Sequence, residues 1–271
     1  MSSIRSLLSH RRFISAKSAL LAVCLLFILL TISCGGGEGE NVPDRAKIAE
    51  AKKAFDEENY DKAKSSIEYF LAQFPNDVEA LFIYAEVLIQ TDQLLKARDK
   101  ANEILAIDPN LAEPQAILGE VHYGRKEFPQ ALELSRKALK INPKLQTPYR
   151  VIGEIYLRQG KIKEGIKVLE EAYKLDPSCV ETLKKLSAGY IKDKDYVSAK
   201  KYLDIGMTID ENVPGIHYNL AVVYANMENG PKALEHIELA LKYYQKLDTF
   251  FWIGKSRDTM RLIERKFNLK K

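Results

Sequence analysis

The sequence predicts an all-α solenoid built from six copies of a two-helix unit, and three regularities carry that prediction. Small residues recur every 34 positions at Ala63, Ala97, Ala131, Gly165, Ala199 and Ala233. A second small series, Ala51, Ala85, Gly119, Gly153, Ser187 and Ala221, keeps the same interval. So do Pro75, Pro109, Pro143 and Pro177. Self-similarity at a fixed period of this size is the mark of a stacked array.

The register places the copies at 44–77, 78–111, 112–145, 146–179, 180–213 and 214–247. Each carries apolar residues at helical spacing in two blocks, such as Leu118, Gly119 and His122, then Ala131, Leu134, Ala138 and Leu139. A short polar turn, Gly124-Arg125-Lys126-Glu127, separates them. Two helices that cross closely need small residues at the crossing, and Gly119 and Ala131 supply them. The second helix ends at Asp108-Pro109, Asn142-Pro143 and Asp176-Pro177, because proline cannot donate to the preceding turn.

These positions resemble the tetratricopeptide repeat (TPR), whose period is 34, with small residues at repeat positions 8, 20 and 27, aromatics near 11 and 17, and Pro at 32. Tyr156, Tyr190 and Tyr224 stand at position 11, Tyr60, Phe128 and Tyr196 at 17, and Ala138, Ala172 and Ala240 at 27. The resemblance covers residues 44 to about 247 and implies a right-handed superhelical solenoid of about six repeats. Four departures stand out. Glu211 and Gln245 occupy the proline position, Phe70 a small one, and Gly230 an aromatic one.

Residues 248–271 are expected to form a capping helix and basic tail, since a solenoid needs a polar-backed helix over its last apolar face. The expected stripe is Phe250, Phe251, Ile253, Met260 and Ile263, with Trp252 beside it. Residues 246–271 carry eight bases against three acids. Such a run is either a solvated face or an end that docks on an acidic partner or lipid headgroups.

Charge is otherwise balanced. The chain of 271 residues has a formal charge of +4, but Arg5, Arg11, Arg12 and Lys17 account for all of it within residues 1–33. Bulk charge therefore gives no case for a nucleic-acid partner. That basic stretch precedes an uncharged run from Ser18 to Ser33, with an apolar core of 14 residues, Ala19 to Ile32. The core fits a secretory signal better than the ~20 residues of a membrane-spanning helix.

Ser33-Cys34-Gly35 resembles the lipobox of bacterial lipoproteins, with Thr31 where Leu is commoner. The resemblance implies cleavage of residues 1–33 before Cys34, acylation of Cys34, and a periplasm-facing, lipid-anchored protein of the cell envelope. Gly35 in place of Asp directs it, by the family's sorting rule, to the outer membrane. Several acyl chains on one residue anchor stably where one does not. The alternative is an uncleaved signal anchor. Residues 34–43 are glycine-rich and read as a flexible tether.

No catalytic motif is found: no Gly-x-Ser-x-Gly, phosphate loop or paired carboxylates. His10, His122, His217 and His236 form no metal-type pair in sequence, and His122 and His217 fall at packing positions. Cys179 is a lone thiol at a repeat junction. No cofactor, metal or small-molecule substrate is expected, and the chain is read as a non-enzyme.

Surface recognition remains. TPR arrays bind protein segments on the face lined by each first helix, at repeat positions 2, 5, 9 and 12. On this chain those positions select Glu79, Phe82 and Glu86, then Glu113, Glu120 and Tyr123, then Arg150 and Glu154, then Lys184 and Tyr218. Glu86, Glu120 and Glu154 repeat at one slot, which predicts either a groove acidic in its amino half or a merely solvated ladder. The family's clamp for a terminal carboxylate wants Asn four residues after Lys184, where Ala188 stands. The functional expectation is a lipid-anchored scaffold for a pilus, secretion or outer-membrane machine. The alternative is an accessory subunit of polysaccharide export or cell-wall enzymes.

Overall fold

The computed structural model describes residues 45–57 and 59–269; the leader, the tether and Cys34 lie outside the described residues. Among the described residues there are thirteen α-helices and no strand, the all-α repeat fold that the period predicts. The first helices of the copies are α1 (Ala46–Asp56), α3 (Val78–Gln90), α5 (Ala112–Gly124), α7 (Gln146–Arg158), α9 (Val180–Lys192) and α11 (Pro214–Asn226). The second helices are α2 (Tyr60–Leu71), α4 (Leu94–Ile107), α6 (Phe128–Ile141), α8 (Ile162–Leu175), α10 (Tyr196–Ile209) and α12 (Gly230–Lys246). A final helix, α13 (Phe250–Phe267), packs along α12.

Local chemistry sets where each helix stops. The turn from first to second helix passes through a left-handed residue in every described copy from the second on: Asp92, Lys126, Gly160, Lys194 and Glu228, with φ between 57° and 78°. Only Gly160 adopts that conformation without a Cβ penalty. The second helices stop at an Asx turn, in which a side-chain oxygen captures the backbone N–H two residues on. Asp108 accepts from Asn110, Asn142 from Lys144, Asp176 from Ser178 and Asp210 from Asn212, at 2.8–3.0 Å. Asp210 thus ends α10 although Glu211 replaces the proline. At the end of the sixth copy Tyr244 and Gln245 offer neither device. There α12 runs on to 17 residues, against 14 in α10.

The crossings are as tight as the small residues imply. Ala51, Ala63, Ala85, Ala97, Ala131, Ala199, Ala221 and Ala233 are all fully buried. In the fourth copy both crossing residues are glycine, and backbones touch. A Cβ on Gly153 would lie 3.1 Å from the Gly165 carbonyl oxygen and 2.6 Å from Leu169, and one on Gly165 would lie 3.0 Å from the Gly153 carbonyl oxygen.

The cap explains one departure and corrects one expectation. Gly230 lacks the aromatic of its repeat position because Phe267 of α13 fills that space; a Cβ on Gly230 would meet Phe267 Cγ at 2.4 Å. The inward face of α13 is built on Trp252, Ser256, Met260, Ile263 and Phe267, spaced three or four apart, with Ile253 packed beside them as expected. Trp252 stacks on Tyr244, centroids 5.5 Å apart. Phe250 and Phe251, placed on the buried stripe by the sequence reading, are instead 78% and 73% exposed. Trp252 holds the inward position, so the helical phase turns the two residues before it outward.

Helices pack against neighbours one or two along the chain. Successive first helices touch one another, and no comparable contact joins the second helices. The array therefore closes on the first-helix side, which makes that side the concave one.

Candidate functional site: the concave face

The concave face carries a chain of polar contacts linking three successive copies. Arg150, on α7, is held between Glu120 of α5 and Glu154 one turn along its own helix; its Nη1 lies 3.6 Å from Glu154 Oε1. The hydroxyl of Tyr123 donates to Glu154 Oε2 at 2.5 Å and accepts from Arg158 Nε at 2.9 Å. Lys185, on α9, reaches the same Glu154 oxygen at 2.9 Å and Glu181 at 3.1 Å. Lys184 pairs with Glu181 from the other side. Adjacent first helices supply these partners because positions about 34 residues apart come together when copies stack.

Ionisation follows from that geometry. Burial would weaken the charge of Arg150, but Glu120 and Glu154 overcome it and hold the guanidinium well above its ordinary value. Burial likewise opposes the carboxylate of Glu181, yet Lys184 and Lys185 hold its pKa at about 2. The Tyr123 phenol is pushed up by burial and by the neighbouring Glu154 charge. The side chains of Arg150 and Glu154 are 13% and 7% exposed, so this network is a structural seam as well as a surface.

This changes the expected acidic ladder. Glu120 and Glu154 face their own cations, so in copies three to five the negative and positive groups balance. Glu154 is buried at the seam rather than displayed. Glu86 is half-buried on α3 and Glu113 half-buried on α5. Glu79 pairs with Arg45 at 2.6 Å, which ties the first two copies together. Phe82 and Ile89 of α3 pack partly buried at the edge of the first core. At the far end Tyr218 does not open into the groove: its hydroxyl lies 3.1 Å from Thr259 Oγ1 and its ring meets Trp252 edge-on. The cap thus covers the position-5 residue of the sixth copy.

Sequence reasoning missed Lys185 and Arg158 because they stand outside repeat positions 2, 5, 9 and 12. Their signal was available as positive charge one residue beyond the groove positions Lys184 and Leu157, next to an acid ladder.

His217 is 2% exposed, a packing residue as expected, but it does not pack alone. Its Nδ1 lies 3.0 Å from Nδ1 of His236 on α12, and its Nε2 lies 2.7 Å from the Glu211 carbonyl oxygen. Nε2–H donates to that carbonyl, since a carbonyl oxygen only accepts. The pair unseen in the sequence is a part-buried hydrogen bond between two ring nitrogens. Burial, then the neighbouring His217, holds the His236 pKa below its ordinary 6.5. Among the described residues no three His, Cys, Asp or Glu side chains gather as a metal site. Cys179 is a half-buried free thiol at the start of α9.

Two family profiles, both described as tetratricopeptide repeat, match residues 48–112 and 149–179. No curated protein matches the chain in sequence. A solved chain of the APC/C hetero-tetramer Cut9–Hcn1 superposes with a TM-score of 0.64 at 14% identity, over 83% of this chain and 48% of that one. This chain thus spans about half the length of that neighbour. PilF of Pseudomonas aeruginosa superposes with a TM-score of 0.53 at 21% identity, over 70% of this chain and 89% of that one. At such identities the likeness fixes the fold and leaves function to the site.

Proposed function

We propose that this tetratricopeptide-repeat solenoid is a non-catalytic scaffold, which seats a segment of a partner protein along its concave face and is held to the bacterial envelope by acylated Cys34. The observation that supports the binding role is the concave face itself. It is a surface built from successive first helices in contact, cross-braced by Arg150, Glu154 and Lys185 and flanked by the apolar side chains of Phe82 and Ile89. A rigid, preformed surface lowers the ordering cost of binding an extended segment. Because acids and bases balance in its middle copies, basicity of the partner is not the selecting property. Apolar side chains at the second copy are the natural anchors.

The envelope location rests on the Ser33-Cys34-Gly35 pattern after a basic and then apolar leader. A tether of about ten residues of glycine-rich chain would hold the array off the membrane. Lipid-anchored arrays of this kind suit the assembly of a pilus, a secretion channel or an outer-membrane machine.

Two measurements test the proposal. A photoreactive amino acid placed at Phe82 or Ala188 on the concave face, or at Lys137 on α6, is activated in intact membranes. Crosslinks from the concave positions but not from α6 are expected; the reverse pattern would sink the groove reading. Metabolic acyl labelling is expected in the wild type and lost in Cys34→Ala, and label persisting in the variant would remove the anchor.

A further inference from the structure

The cap helix α13 has two faces, and only one of them packs on the array. The other presents Phe250 and Phe251, 78% and 73% exposed, together with Leu262 at 60%. Leu247, in the turn just before, is 61% exposed. Isolated apolar residues are ordinary on a surface, but Leu247, Phe250 and Phe251 fall together at the turn into α13, and such a cluster marks an interaction site. The helix also exposes Lys255, Arg257, Arg261 and Arg265, against the exposed acid Asp258 and the half-buried Glu264, while Lys266 is already paired with Glu228 at 2.8 Å. Asp258 answers only one of these cations, Arg261, at 3.2 Å.

We infer that this face of α13 docks on a membrane surface rich in anionic phospholipid. Exposed aromatic side chains followed by Lys and Arg along one helix are the composition of an interfacial element, whose rings enter the headgroup boundary while the cations meet the phosphates. The shape favours lipid over protein. A protein hot spot seats an aromatic residue in a pocket of its partner with matching geometry. Here the rings project from a convex ridge, and a deformable headgroup layer accommodates that ridge without a preformed receptor. Lys255 stands 4.5 Å from the Trp252 ring centre, which holds one cation at the base of the aromatic pair. This contact goes beyond the acyl anchor at the other end of the chain, and its failure would leave the acyl-labelling result untouched.

The chain contains one tryptophan, Trp252, adjacent to Phe251, so the contact has a built-in reporter. The full-length protein is reconstituted into vesicles of phosphatidylcholine, or of phosphatidylcholine with phosphatidylglycerol, each carrying brominated acyl chains. Quenching of Trp252 is expected in the anionic vesicles, with apparent binding on the order of tenfold tighter than in the neutral ones, and relief at high salt. F250S/F251S, exposed positions that leave helix content unchanged, is expected to abolish the quenching. Absence of quenching in both lipids would overturn the inference and leave the face to a protein partner. Equal quenching in both lipids that survives F250S/F251S would overturn it as well.

Discussion

The groove through copies three to five and the outer face of α13 are both dense in charge, yet they differ in what their charges do. In the groove the acids meet cations within and across copies: Glu120 meets Arg150 of the next copy, and Glu154 meets Arg150 of its own copy and Lys185 of the next. On α13 four exposed cations meet one exposed acid, Asp258, with Phe250 and Phe251 exposed at the start of the same helix. Ions paired across repeats stiffen the array and add little net field. Ions left with one sign attract an opposite surface. A count of charges in the sequence cannot separate these cases, because the decisive fact is which residue lies 34 positions away in the stack.

The sharpest way to break the comparison is to remove Arg150. Arg150→Ala leaves Glu154 buried without one of its cations and is expected to cost about 3 kcal/mol, read from urea unfolding. Arg257→Ala, on the cap, is expected to leave the unfolding midpoint unchanged. A loss at Arg257 comparable to that at Arg150 would show that the two faces do not differ as described.

Phe267→Ala comes next. It removes the side chain that fills the space above Gly230 and is expected to cost about 2 kcal/mol, with hydrogen exchange rising along α13 before it rises in α3. The outward direction of Phe250 depends on this docking, so the same variant should blur the two faces of the cap.

Acidity separates the regions by pH. Below 6.5 the unfolded chain takes up a proton that folded His236 resists, so stability contributed by the sixth copy falls as pH drops through that value toward the lower folded pKa. His236→Gln should flatten the dependence of the midpoint on pH below 6.5. The groove responds lower. Glu181, depressed from 4.5 to about 2, contributes stability that is full above 4.5 and is lost as pH falls toward 2. Coincident transitions would contradict the assignment.

The smallest effect is a gain. Lys194→Gly relieves a left-handed residue at φ 63° and is expected to stabilise by about 0.5 kcal/mol, measured as a raised midpoint.

Much of this fold was legible from residue spacing. The period predicted the all-α repeat fold, and small residues stand at the helix crossings, because steric exclusion at a crossing acts through residue size alone. The proline positions marked the ends of second helices, although an Asx turn does the same work where Glu211 replaces proline. The direction of Phe250 and Phe251 was not legible, since the stripe of α13 begins at Trp252 and its phase is set by a stacking partner, Tyr244, in another helix. The groove residues were found by repeat position, but their pairing was not. Lys185 and the His217–His236 contact exist only once copies stack.

Packing confined to neighbouring helices also governs how the molecule comes apart. No core spans the whole length: one cluster runs from Ile48 to Val121, and another joins Ala221 to Ile263. Unfolding is therefore free to begin at one end, and a midpoint read from ellipticity averages over the array. Trp252 sits in the terminal cluster, so its fluorescence follows the fraying of that end alone, while ellipticity sums over every helix. The separation between those two curves measures the length over which one repeat still feels another.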